Sequence, residues 1–325
     1  RYSKDCKFKK VRIMAYMKIL ITGAAGLLGI ELTRQLLDGG HEVHGVDNFY
    51  TSDPHNIDCW ADNTSYHFIE WDIQQTRMWD TDYDQIYNLA CPASPVHYQR
   101  DPQYTLDTNI NGVRNMLVLA ETSDAILIQA STSETYGDPL EHPQRESYWG
   151  NVNALGPRAC YDEGKRVAET MCMLSSAHTR IARIFNTYGP TMEFNDGRAV
   201  SNFICQALSG DDITIHGDGL QTRSFCYVSD TVLGLIYLAN SKVSTPVNIG
   251  NPDEVTLLEL VNDIIEISDS SSNIIYESRV ADDPSRRCPD ITKAIDMLQW
   301  NPIVSRHDGL SLTIDSFKTR TGRNI

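Results

Sequence analysis

The stretch MKILITGAAGLLGIELTRQLLDGGHEVHGVDN (17–48) constrains the fold more than any other part of the chain. A short apolar run passes through Gly23, Gly26 and Gly29 into an amphipathic pattern from Leu27 to Leu37. A second strand-like run then ends at Asp47. G-x-x-G-x-x-G between a strand and a helix makes a phosphate-binding turn. The first glycine permits the tight turn, the second lets a pyrophosphate approach, and the third lets the helix pack closely on the strand. Phosphate then sits on the unpaired N–H groups at the helix start. Asp47 lies 24 residues beyond Gly23, near the spacing of about 20 at which an acid holds the adenosine ribose of a dinucleotide. A carboxylate there repels a 2′-phosphate, so the expected cofactor is NAD rather than NADP. Leu28 and Asn48 flank these positions and join the expected cofactor contacts.

Further strand candidates follow at YHFIEWD (66–72), DQIYNLA (84–90), AILIQAS (125–131) and TRIARIFN (179–186), with helical patterns between them, notably 102–122. Alternation of this kind predicts an α/β fold, a Rossmann-like doubly wound parallel sheet with both faces covered. Ligands on such sheets bind at the carboxyl ends of the strands, where Asp72, Leu89, Ala90, Ser131 and Asn186 fall. Thr108, within the 102–122 stretch, completes the expected cofactor set. The second half reads as a smaller α/β lobe. Its helical patterns lie at 198–209, 228–240, 255–267 and 307–318, with short strands at ITIH and PVNIG. The expected division is residues 17–187 for the dinucleotide domain and 188–325 mainly for a substrate lobe, with 1–16 as a disordered leader or extension.

Composition narrows the function. The net charge of −15 argues against a nucleic-acid binder, since phosphate backbones select basic surfaces. An anionic ligand therefore needs a locally positive pocket, and Arg183, Arg198, Arg223, Arg286 and Arg287 are the candidates. Eight cysteines show no C-x-x-C pair, a pattern of reduced thiols in a cytoplasmic protein rather than a disulfide framework or zinc site. HEVH (41–44) is one residue short of a zinc-protease motif and lies in a strand-like stretch, so no metal is expected. No run of eighteen apolar residues is present, so no membrane span is expected.

Chemistry concentrates in two segments. QASTSETYG (129–137) follows directly on a strand, where a nicotinamide would lie, and RACYDEGKRVAET (158–170) opens the next helix. Tyr161 and Lys165 are four residues apart and so share a helical face. A phenol of pKa about 10 is a poor base at neutral pH, but a neighbouring ammonium and a cationic nicotinamide ring both favour phenolate. With a Thr132 hydroxyl sharing the substrate oxygen, the trio can take a proton from an alcohol as hydride leaves.

On these motifs, together with VDNFYTS, RIFNTYGP, GDGLQTRSFCYVSD and DDPSRRCPD, the chain resembles the extended short-chain dehydrogenases/reductases and, within them, the UDP-glucuronate decarboxylases, over residues 17–318. The resemblance implies Tyr161 as base and Lys165 as its electrostatic partner. It puts Thr132 on the sugar 4-oxygen, with Ser133 and Glu134 beside the reacting carbons. Asn186, Arg223 and Arg287 would hold a UDP-sugar, the two arginines on its diphosphate. Tyr98 and Arg158 are implied at the sugar end, His216 near the uracil, and Arg198, Val200 and Gln221 among the remaining substrate contacts. Cys91, Thr135 and Cys288 depart from the family pattern, standing for a serine, a valine and a basic residue. The implied reaction is decarboxylation of UDP-glucuronate to UDP-xylose, and the implied assembly is a homodimer pairing the helices that begin near Pro102 and Tyr161, on which Met116, Leu119, Met171 and Leu174 are expected as surplus apolar surface.

Two rivals share the fold. A 4,6-dehydratase usually carries aspartate where Ser133 stands, and a hydroxyl is a poor acid for a departing hydroxide. A 4-epimerase usually lacks the glutamate found as Glu134. A non-catalytic NAD sensor is a third reading, opposed by the intact Thr132, Tyr161 and Lys165.

Overall fold

The computed structural model describes residues 16–194, 196–279 and 286–322; the expected leader thus lies almost wholly outside the described residues. Six strands, Lys18–Thr22 (β1), Glu42–Asp47 (β2), Tyr66–Glu70 (β3), Gln85–Asn88 (β4), Ile126–Thr132 (β5) and His178–Ile184 (β6), join Val247–Ile249 in one sheet. The order runs from Val247–Ile249 through β6, β5, β4, β1 and β2 to β3, and every neighbouring pair is parallel. This is the expected doubly wound sheet. Its strand order reverses between β1 and β4, where the two halves leave a crevice for a ligand.

The helices are Leu27–Asp38 (α1), Pro95–Arg100 (α2), Pro102–Asp107 (α3), Val113–Ser123 (α4), Ala159–Leu174 (α5), Ala199–Ser209 (α6), Val228–Ala239 (α7), Leu257–Ser268 (α8), Thr292–Leu298 (α9) and Arg306–Thr321 (α10). Alternating strand residues face opposite layers. Ile19 and Ile21 of β1 pack with Leu32 and Leu36 of α1 and Val232 and Leu235 of α7. Leu20 between them packs on the other face with Val113 and Met116 of α4 and Ala168 and Cys172 of α5. A third core joins Phe203 and Ile204 of α6 to Leu260 and Ile264 of α8 and Ile314 and Phe317 of α10, and it builds the smaller lobe.

Three expectations change. The single helix anticipated over 102–122 is α3 and α4 joined by one π-helical stretch, Thr108–Gly112, the extra residue per turn that often marks a functional site. PVNIG belongs to the large sheet and not to the lobe, because Val247–Ile249 pairs with Ala182–Ile184. The chain therefore returns to the first domain after building part of the second. Met116 and Leu119, expected as surplus apolar surface, are buried in the chain's own core, whereas Leu174 is exposed. The outward apolar residues on these helices are Val118, Val167, Met173 and Leu174. Among the described residues no helix is long and apolar enough to cross a membrane.

Candidate active site

The glycine turn is built as its spacing demands. Gly23 has φ of +71°, and a Cβ there would meet the Ala90 amide nitrogen at 2.9 Å. A Cβ on Gly29 would lie 2.2 Å from the Gly23 carbonyl oxygen, so both positions are closed to side chains by backbone alone. Gly26 N-caps α1 without any side-chain cap, and a Cβ there would have only the Gly23 oxygen, at 3.4 Å, within contact. Its open side and the first-turn N–H groups of a twelve-residue helix are the pieces an anionic ligand needs.

Asp47 ends β2 beside that turn. Its carboxylate accepts from the Ala25 amide at 3.0 Å, the Phe49 amide at 2.9 Å and the Ser52 hydroxyl at 3.0 Å. Two carboxylate oxygens offer about four acceptor positions, so capacity for a further hydroxyl remains. Asn48 donates to Asp72 at 3.1 Å and to the Tyr104 hydroxyl at 2.6 Å, and Tyr104 in turn donates to Asp72 at 2.9 Å. Tyr50 stacks on Tyr104 with ring centroids 4.3 Å apart. With Leu89, Ala90 and Thr108 these residues line a side pocket of about 90 Å³. Tyr50 and Tyr104 carried no sequence signal, since their ring contact joins the end of β2 to α3.

The main cleft, about 530 Å³, runs from the glycine turn past the end of β5 into the lobe. Gly23, Gly26, Leu28, Gly29, Leu89, Ser131, Thr132, Ser133, Glu134, Tyr98, Arg158, Tyr161, Lys165, Asn186, Arg198, Val200, His216, Gln221, Arg223 and Arg287 all line it. Sequence positions from 23 to 287 thus meet around one space, because strand ends and the lobe's inner face converge there.

α5 packs on β5 so that Lys165 Nζ donates to the Ala130 carbonyl at 2.9 Å, and it stands 5.8 Å from the centroid of the Tyr161 ring. Tyr98 stacks nearly flat on Tyr161, centroids 5.1 Å apart and planes at 10°. Burial pushes the Tyr161 phenol up, well above its ordinary value, and a hydrogen bond with Thr132 only partly opposes this. The lowering expected from Lys165 is therefore overridden in the protein alone: desolvation of a fully enclosed phenolate outweighs an ammonium that already donates to a carbonyl. The Tyr98 hydroxyl is buried without a protein partner.

Glu134 lines the same cleft. Arg158 donates to it at 2.6 Å and Arg287 at 3.3 Å. Burial works against the Glu134 charge, but Arg287, Arg158 and Arg223 outweigh it and hold the carboxyl below its ordinary range. Arg287, 1% exposed, also donates to the Ser133 carbonyl and, at 2.7 Å, to the Gly137 carbonyl. Its guanidinium thus grips the Ser133–Tyr136 turn, whereas the resemblance implied the diphosphate. Arg223 lines the cleft from a neighbouring strand, in register with Arg287.

Three of the expected anion-binding arginines are otherwise engaged. Arg183 makes a bidentate pair with Glu169, at 2.9 and 2.7 Å, and Glu169 also accepts from Ser131 at 2.5 Å. Arg198 pairs with Asp196, and Arg286 lies 3.5 Å from Glu254. His216 and Glu277 are 3.6 Å apart on adjacent strands, and Gln221 donates to the His216 carbonyl at 2.5 Å. Asp162 escaped the sequence reading although it follows Tyr161 directly. Burial and then the Glu134 charge raise it to about 7, and its Oδ1 is buried without a partner. The Arg158–Asp162 spacing of four residues was the available signal.

A parallel sheet with a glycine turn and, in one cleft, a buried Tyr-Lys pair and a Glu-Arg pair defines a dinucleotide-binding class of α/β protein. The chain belongs to the NAD dependent epimerase/dehydratase family, whose sequence model matches residues 19–250. Among its relatives, UDP-glucuronic acid decarboxylase 1 of Xenopus tropicalis is 51% identical over 93% of this chain and 72% of its own length. UDP-glucuronic acid decarboxylase 5 of Arabidopsis thaliana is 48% identical over 99% of this chain and 93% of its own. Among solved structures, UDP-glucuronic acid 4-epimerase from Bacillus cereus, in complex with UDP-glucuronic acid and NAD, matches with a TM-score of 0.82 and 29% identity over 94% of this chain and all of that one (100%).

Proposed function

We propose that this chain decarboxylates UDP-glucuronate to UDP-xylose, with NAD as a resident cofactor. The observation that carries the reading is Glu134, held ionised between Arg158 and Arg287 in the same cleft as Thr132, Tyr161 and Lys165. Relatives bearing the decarboxylase name at about half identity over nearly the whole chain support it. The glycine turn, the open side of Gly26 and the spare acceptor capacity of Asp47 fit an adenine dinucleotide. NAD would supply the temporary oxidation of C4.

Tyr161 takes the C4 hydroxyl proton, with Thr132 bonded to the same oxygen; Lys165 and the cationic nicotinamide ring that NAD would bring both favour the phenolate form. The 4-ketone so formed is β to the C6 carboxylate, and departure of CO₂ leaves its electron pair in an enolate. No leaving-group acid is required, which agrees with serine at 133. Arg287 and Glu134 flank the reacting carbons, and Arg223, on the wall of the same cleft, meets the diphosphate. The return of a proton to C5 and restoration of the C4 hydrogen complete the cycle. We further propose a homodimer, formed through the outward faces of α4 and α5.

Mixing the purified protein with UDP-glucuronate and identifying products by mass and NMR tests the reaction. UDP-xylose, bearing one solvent deuterium at C5 after turnover in D₂O, is the expected product. Deuterium placed at C4 should stay there. Tyr161→Phe should bind substrate while turnover falls by roughly 10²–10⁴. A product that keeps all six sugar carbons would refute the decarboxylase reading.

A further inference from the structure

Cys288 follows directly on Arg287, and the fold brings it to two other ligand-type side chains. His142, Glu254 and Cys288 present an imidazole nitrogen, a carboxylate oxygen and a sulfur that all lie within 4.8 Å of one another. They come from three remote segments, which is why cysteine spacing gave no sign of them. In a tetrahedral zinc site, bonds of about 2.0 to 2.3 Å separate ligand atoms by about 3.5 Å, so closing the set calls for shifts of about 1 Å.

Two of the three candidate ligands are held by a neighbouring side chain. Gln144 Oε1 accepts from the Cys288 amide at 2.9 Å and so fixes the backbone that carries the thiol. Gln144 itself is fully buried. Thr222 donates to Glu254 Oε1, which leaves Oε2 for His142, at 2.9 Å. Supporting contacts of this kind fix ligand orientation in metal sites. A thiolate and a carboxylate together balance a divalent charge, and sulfur with imidazole selects a thiophilic ion over calcium or magnesium. Arg286, 3.5 Å from Glu254, is the competing cation, and its side chain is largely exposed and able to swing away.

We propose that His142, Glu254 and Cys288 form a zinc-binding site whose occupation slows the enzyme. Binding releases the thiol proton and moves the Nε2 proton of neutral His142 to Nδ1, so that Nε2 can face the metal, with no change in oxidation state. The inhibition follows from chain connectivity. Drawing Cys288 toward His142 and Glu254 by about 1 Å moves Arg287, which holds the Ser133 and Gly137 carbonyls and Glu134. A displacement of that size near reacting groups costs about 10²-fold in rate.

Calorimetric titration of the chelator-treated full chain with Zn²⁺ should give one site per chain. Cys288→Ser and His142→Gln should each weaken it at least a hundredfold while leaving metal-free turnover near the parent's. Co²⁺ should give a thiolate charge-transfer band that Cys288→Ser abolishes. Saturating Zn²⁺ should lower parent turnover at least tenfold without affecting either variant. If Cys288→Ser does not fold, His142→Gln decides alone. Absence of binding, or equal affinity in parent and variants, would overturn the site, and tight binding without inhibition would overturn the link to Arg287. The binding measurements stand whatever the substrate proves to be.

Discussion

At the scale of single residues, two carboxyls that share the Arg158 guanidinium diverge. Glu134 faces two guanidinium groups and stays ionised, whereas Asp162, 3.9 Å from Arg158 Nε, is raised to about 7 by burial and by Glu134. The folded protein therefore binds more protons than the unfolded chain between the ordinary aspartate range, about 4, and pH 7. Stability linked to Asp162 is full at low pH and declines as pH rises through about 7. Asp162→Asn should accordingly raise the melting temperature more at pH 8 than at pH 5. A difference of the opposite sign in thermal scans would contradict the assignment. Tyr161, Lys165 and Glu134 were legible because short fixed spacings tie them to a strand end and a helix start. Asp162 and the engagement of Arg183 by Glu169 were not, since only packing decides whether a charged side chain meets solvent, a ligand or another side chain.

At the scale of elements, the glycine turn was the most legible piece, because its requirements are steric and local. A methyl on Gly29 would press on the Gly23 oxygen and on the Ala24 backbone, at 2.2 and 2.7 Å, and neither can rotate away. Gly29→Ala should cost about 1–3 kcal/mol of stability, read by urea denaturation, and should also abolish dinucleotide binding. Parent-like stability would mean that α1 sits farther from β1 than described. The break between α3 and α4 was less legible. The π-helical stretch contains Asn109, which donates to Cys91 Sγ at 3.2 Å, while Gly112 lets the backbone approach Ile73. Helical periodicity runs through such a stretch almost unchanged, so the apolar pattern alone reads as one helix.

At the scale of the whole molecule, α4 and α5 leave Val118, Met173 and Leu174 on the surface, the last 82% exposed. A twofold contact through these faces would cover them. Sedimentation of the 36.6 kDa chain should give twice that mass, and Val118→Glu combined with Met173→Glu should return the monomer. A parent that sediments as a monomer at micromolar concentration would refute the dimer.

The return of Val247–Ile249 to the sheet bears on how the gene can be divided. A fragment ended at residue 187, where the sequence divides most naturally, would lack the strand that covers β6 and the α7 side chains that pack on β1. Its terminal strand would offer a row of unpaired amides and carbonyls, the template on which chains associate edge to edge. Such a fragment should come out of expression as aggregate. One carried through residue 250 and the strand it contains should stay more soluble, a contrast that fractionation of the two lysates would settle.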